Sequence, residues 1–168
     1  MITIRVPGTT ANLGPGFDSL GLALGVYGYF TFEETDSGLE FENVAPEFQN
    51  EENLAIRGYR RAIQEMGLEQ PGIYLHIESD IPVSSGLGSS ASLIVAGVVA
   101  ANEIHGKMLN QQTLIITFYG RAILPAVWNC CRSDLYLTVR ISEGDIVILT
   151  VRVVIYSGGR WFGNISGS

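Results

Sequence analysis

The sequence is poor in cysteine, in basic charge and in long apolar runs. Cys130 and Cys131 are its only thiols and are adjacent, which is no disulfide framework and points to a reducing, cytoplasmic setting. The longest apolar run, Ala91 to Ala101, is about eleven residues and is interrupted by Ser92 and Gly97. A membrane-spanning helix needs about 20. Met1-Ile2-Thr3-Ile4-Arg5 has no apolar stretch behind a basic start, so no secretory signal is expected. Lys and Arg number 10 against 17 Asp and Glu, a net charge of -7. Overall charge therefore argues against nucleic-acid or anionic-membrane partners. Proline is scarce and the 20 Gly follow no period, which excludes a collagen-like chain. An apolar fraction of 46% with 16% charged residues excludes a disordered one. By size, 168 residues suit one domain able to bury a core without disulfides or metal.

The charge is unevenly placed. Residues 1–112 hold 5 basic and 14 acidic side chains, whereas 113–168 hold 5 Arg and 3 acids. The second segment has no Lys or His but carries both Cys and both Trp. Such a shift marks a boundary, although no linker separates Asn110-Gln111-Gln112 from Thr113-Leu114-Ile115-Ile116.

Periodicity gives a mixed α/β order. Strands are expected at Ile2–Val6, Val26–Glu34, Leu39–Asn43 and around Ile73, Leu75 and Ile77. Leu54, Ile56, Tyr59, Ile63 and Met66 have helical spacing, and Gly67 should stop that helix. Ser89–His105 should be a helix, apolar nearly all round and so buried. Leu135–Ile141 and Ile146–Tyr156 look like strands, the latter also a β-aggregation window. His76 is expected as an exposed strand residue and His105 as a helix C-terminal one.

One loop concentrates polar chemistry: Pro82-Val83-Ser84-Ser85-Gly86-Leu87-Gly88-Ser89-Ser90-Ala91-Ser92. Its glycines permit turns closed to other residues, and free N–H groups at a helix start attract anions. A serine hydroxyl there could ligate Mg²⁺. The plainer alternative is an N-cap serine after a glycine turn. A Walker loop is excluded because no Lys follows the glycines. The dinucleotide pattern Gly86-x-Gly88-x-x-Ala91 lacks the strand directly before it and the acid-tipped strand after it. A second polar segment, Thr9-Thr10-Ala11-Asn12-Leu13-Gly14-Pro15-Gly16-Phe17-Asp18-Ser19, offers an amide and a carboxylate. Alone, it reads equally as a loop whose Asn and Asp bond their own backbone.

Together these motifs, in this order and separation, resemble the homoserine kinases, a family of the GHMP small-molecule kinases. The likeness spans residues 1–112. It includes Val6 to Gly21, Asn53-Leu54 and Pro82 to Ser92, with small departures at Gly8 and Ser92, where alanine is commoner. It implies an N-terminal α+β domain of the ribosomal-S5 type, followed in the family by a ferredoxin-like domain that has no counterpart here. It implies ATP and Mg²⁺ as cofactors, and transfer of the γ-phosphoryl group to the side-chain hydroxyl of L-homoserine, a step toward threonine. Carried over by residue, Pro82, Val83, Ser84, Ser85, Gly86, Leu87, Gly88, Ser89, Ser90, Ala91 and Ser92 would wrap the triphosphate. Ser90 would hold Mg²⁺, Asn53 would sit near the adenine, and Asn12 and Asp18 would hold the amino acid. No catalytic base is implied, and a homodimer is left open.

Past residue 112 the likeness ends. The family's Glu-Gly-His-Pro-Asp-Asn run, with a second Mg²⁺ ligand, is missing, and no motif surrounds Arg121, Arg132, Arg140, Arg152 or Arg160. Gly120-Arg121-Ala122-Ile123-Leu124 can be encoded so that a shift of one nucleotide reads Glu-Gly-His-Pro. Pro125 then cannot yield the following Asp. An out-of-frame tail over 113–168 is one expectation. Two alternatives to a homoserine kinase remain: a non-catalytic nucleotide-binding fragment, and another GHMP kinase of mevalonate type.

Overall fold

A computed structural model describes residues 1–10, 22–110, 113–114, 117, 135–142 and 145–153, the last two segments by backbone alone. The elements run β1 (Ile2–Thr10), β2 (Leu22–Thr35), β3 (Leu39–Glu42), a 3₁₀ turn (Pro46–Phe48), α1 (Leu54–Met66), β4 (Gly72–Ser79), α2 (Ser89–Ile104), β5 (Leu135–Ser142) and β6 (Asp145–Val153). The strands form one mixed sheet in the order β3-β4-β2-β1-β6-β5.

Strand alternation sorts the sheet into two faces. Ile4, Phe30, Phe32, Ile73 and Leu75 are buried on one face, aligned by the pairings Ile4↔Phe30 and Phe32↔Leu75. Both helices share that core through Ile56, Tyr59, Ile63, Ile94, Val98 and Val99. Burying each large side chain contributes roughly 1.5–3 kcal/mol. Phe32 stacks on Tyr59 with ring centroids 5.6 Å apart. The opposite face is polar: Arg5 lies over the Tyr27 ring, and His76 sits between Glu42 and Glu78. His76 is thus half-buried and flanked by two acids, not simply exposed.

The helices pack on glycine. A Cβ on Gly97 would stand 2.0 Å from the Ala55 carbonyl oxygen, and one on Gly58 would stand 2.6 Å from that of Ile94. These reciprocal contacts run in opposite chain directions, so the helices are antiparallel where they touch. Asn53 caps α1 by accepting from Ala55 N–H, and Gly67 closes it in the left-handed conformation with φ 70°. The predicted helix and its stop are both present.

The strands differ from expectation mainly in length. β1 continues through Pro7, Gly8 and Thr9 to Thr10, because Thr9 and Thr10 pair with Ala23 and Leu22 after a register shift between Pro7 and Thr9. Pro7 itself stays paired with Tyr27, and three residues of β2 opposite Gly8 absorb the shift, in a strand that propensity alone would have ended at the proline. β5 and β6 form an antiparallel hairpin. It joins the sheet where β6 runs parallel to β1 at Ile4↔Ile146 and Arg5↔Val147. No helix among the described residues is long and apolar enough to cross a membrane.

Candidate active site: a phosphate loop tied to the first strand

The loop between β4 and α2 carries three residues in the left-handed region: Ser84 (φ 59°), Gly86 (φ 75°) and Gly88 (φ 78°). Their spacing, every second residue, is the kind of backbone that turns N–H groups toward a concavity. Serine in this region is uncommon and strained. Its neighbour Ser85 compensates locally: the Ser85 hydroxyl donates to Pro82 O at 2.7 Å and accepts from Leu87 N–H at 3.3 Å. At the loop's start, Ser79 Oγ accepts from Ile81 N–H, and Asp80 N–H donates to Tyr27 O at 3.0 Å. The loop therefore has fixed ends and an exposed crown, with Val83 79% exposed.

α2 begins without a side-chain cap. Its N-cap is Gly88, and no side chain bonds its free N–H groups. The capping-serine alternative is not realised, since Ser89 and Ser90 are the first two helical residues. The N-terminal turn keeps its orphan donors and the positive end of the helix dipole. Ser90 and Ala91 are exposed at that turn, and Ser89 is half-buried. Ser92 differs: it is buried and its hydroxyl donates to Ser89 O at 2.7 Å. It closes the turn from within.

The loop is joined to β1. Thr9 N–H donates to Leu87 O at 2.8 Å. Gly88 lies so close to the strand that a Cβ there would meet Thr9 Oγ1 at 2.5 Å and Thr9 O at 2.9 Å. Glycine is needed at 88 both for its positive φ and for this approach. Thr9 is a residue whose contact with the loop the sequence motifs do not disclose.

Asn53 is a buried residue with both ends of its amide engaged. Its Oδ1 accepts from Ala55 N–H at 2.9 Å and its Nδ2 donates to Phe48 O at 2.9 Å. It opens α1, away from the crown of the loop. Asn12 and Asp18 lie outside the described residues. Of the expected site, the structure brings together Pro82 to Ser92 and ties them to the strand that leads into residues 11–21.

The site suits an anion bound by main-chain N–H groups and hydroxyls, since 82–92 contain no charged residue. Among the described residues no three His, Cys, Asp or Glu gather as ligands, and Mg²⁺ takes most of its shell from phosphate and water.

Residues 53–122 match the family model described as the GHMP kinases N terminal domain, a match that runs ten residues past position 112. Over 115 residues the chain is 48% identical to a homoserine kinase of Clostridium botulinum, covering 68% of this chain and 39% of that protein. A second relative, a homoserine kinase of Clostridium beijerinckii, is 46% identical over 116 residues, with the same coverage of both chains. The chain thus spans about two fifths of the length of the curated relatives it matches. Among solved structures, homoserine kinase from Cytophaga hutchinsonii superposes with a TM-score of 0.55 at 26% identity, over 90% of this chain and 53% of that one. Sequence and fold together place the chain in the GHMP kinases, of which it carries the N-terminal domain.

Proposed function

We propose that the chain is the ATP-binding part of a homoserine kinase, an enzyme that phosphorylates the side-chain hydroxyl of L-homoserine on the way to threonine in the cytoplasm. The observation that carries this is the loop 82–92, whose alternate left-handed residues lead into an uncapped α2. When bound, MgATP would supply the phosphoryl group. The N–H groups at the start of α2 would hold its phosphates, and Ser90 would offer its hydroxyl to Mg²⁺. Such catalysis rests on positioning and charge stabilisation, which a fixed backbone cradle provides. Asn12 and Asp18 would hold the amino acid. Asn53 would act near the adenine through the α1 terminus that it caps. The relatives named above favour homoserine over a mevalonate-type alcohol. A homodimer is part of the same proposal.

We propose that the chain leaves the kinase reading frame past residue 112, within the segment 113–168; the family match that continues to residue 122 favours a late break. Sequencing the coding DNA across codons 105–130 tests this, and a frame whose codons cannot yield Glu-Gly-His-Pro by a shift contradicts it.

A chimera tests the substrate. Residues 1–112 replace the matching segment of the Clostridium botulinum relative, and homoserine, mevalonate and galactose are offered with MgATP. Phosphorylation of homoserine in preference to the others is expected. A preference for mevalonate or galactose would assign another GHMP activity. Nucleotide binding by the 168-residue chain, with no turnover in the chimera, would support the non-catalytic alternative.

A further inference from the structure

We propose that Thr9 is a positioning residue of the nucleotide site: its main-chain N–H holds the end of the phosphate loop in the shape that receives phosphate. This rests on the ATP-binding reading above. Three observations meet at one point. Thr9, the first paired residue of β1 past the register shift, lies opposite Ala23, and its N–H donates to Leu87 O at 2.8 Å. Leu87 is the residue between Gly86 and Gly88, the two left-handed glycines of the crown. A Cβ on Gly88 would strike Thr9 at its hydroxyl, carbonyl and nitrogen, at 2.5, 2.9 and 3.3 Å, so strand and loop are in full contact there.

At the register shift Leu24, Gly25 and Val26 of β2 stand opposite Gly8 alone, and an irregularity of this kind bends the paired strands locally. Just past it, Thr9 N–H bonds the loop. Gly8 supports the same seat: a Cβ on it would lie 3.3 Å from Leu87 O and 2.9 Å from Val26 Cγ2. Thr9 N–H holds the carbonyl of Leu87, and the lack of a side chain at Gly8 leaves room for it. Without that anchor, a glycine-rich loop has many accessible conformations. Only the share with its N–H groups converging would bind phosphate, and apparent affinity falls with that share. β1 also runs directly into residues 11–21, so the same strand end serves both polar segments of the sequence.

The test uses the 168-residue chain. Thr9→Pro deletes the single donor. Thr9→Ala keeps the donor and removes the hydroxyl. Gly88→Ala adds the obstructing Cβ. MgATP affinity is measured by calorimetry, thermal midpoint by circular dichroism, and mobility of residues 84–88 by backbone ¹⁵N order parameters without ligand. Thr9→Pro should weaken MgATP roughly tenfold, the worth of one lost hydrogen bond, while Thr9→Ala stays within about twofold. Gly88→Ala should weaken it more. Thr9→Ala should recover several-fold of that loss in the double variant, because the hydroxyl is the nearest obstacle; such coupling is typical of touching residues. Order parameters at 84–88 should fall from about 0.85 toward about 0.6 in Thr9→Pro, with a cooperative thermal transition retained.

The proposal is overturned if Thr9→Pro, still folded, leaves both loop mobility and MgATP affinity unchanged. It is also overturned if Gly88→Ala costs the same with and without the Thr9 hydroxyl. Failure of the wild-type chain to bind MgATP would instead count against the nucleotide-site reading, and the order parameters would still decide whether Thr9 anchors the loop.

Discussion

Asn53 uses its whole side-chain amide to start α1, accepting from Ala55 N–H and donating to Phe48 O. Replacing it with alanine removes a cap and strands a carbonyl. Asn53→Ala should cost about 1–2 kcal/mol, read as a lower urea midpoint at an unchanged m-value. A second buried residue sets an alkaline limit. Tyr59 is fully buried, and its hydroxyl donates to Glu34 Oε1 at 2.8 Å. Burial first, and then the Glu34 carboxylate, push its phenol well above the usual tyrosine range. The raised value fixes the sign: stability from this group is complete below the unfolded value of about 10 and drains away above it. Each pH unit beyond that removes up to about 1.4 kcal/mol. In Tyr59→Phe the loss above pH 10 should be shallower than in the wild type, while stability at pH 7 falls by about 1 kcal/mol with the lost hydrogen bond. An equal alkaline slope in both proteins would show that other groups set it.

His105 joins the same cluster, its Nε2 lying 2.9 Å from Glu34 Oε1. Helical spacing discloses that His105 ends α2. That it reaches a carboxylate 71 positions away depends on how α2 lies across the sheet, and no local pattern carries that.

Among the elements, the helix pair is the tightest fit. Gly97 faces the Ala55 carbonyl across a gap too small for any side chain. Gly97→Ala cannot be absorbed by a rotamer change, because the obstacle is backbone. It should destabilise the chain by roughly 1–3 kcal/mol, as overpacking does, despite alanine's better helix propensity. Gly38→Ala is a poor control, since it strains a positive φ. Gly25→Ala meets nothing within 4 Å and should stay within about 0.5 kcal/mol. Thermal midpoints of the two variants check this.

Much at this scale could be read from the residues. Leu54, Ile56, Tyr59 and Ile63 announce α1 by their spacing, and Gly67 announces its end. Alternation of Ile73, Leu75 and Ile77 announces β4. Local signals carry β1 only to Val6, because Pro7 and Gly8 point to a loop. It reaches Thr10 because β2 begins early enough, at Leu22, to pair with it. Strand order was not legible either, since it is decided by long-range pairing. The phosphate loop was legible as glycine spacing, but its anchor on Thr9 is a tertiary contact with no sequence signature.

At the scale of the whole molecule, a two-layer sheet and helix pair holds the loop 82–92 at the point where α2 begins. The charge contrast between residues 1–112 and 113–168 has a structural side too: the core around α1 and α2 comes from the first segment apart from Leu114, while the second also supplies the β5–β6 hairpin at the sheet's far edge. The central claim is that this loop holds the phosphates of a nucleotide. Calorimetric titration of the 168-residue chain with MgATP tests it most directly, with Gly88→Ala alongside. The account predicts saturable binding at one site, weakened at least tenfold in Gly88→Ala by the left-handed strain and the lost approach to Thr9. A chain that unfolds cooperatively, and so is folded, yet gives no saturable heat with MgATP would contradict it.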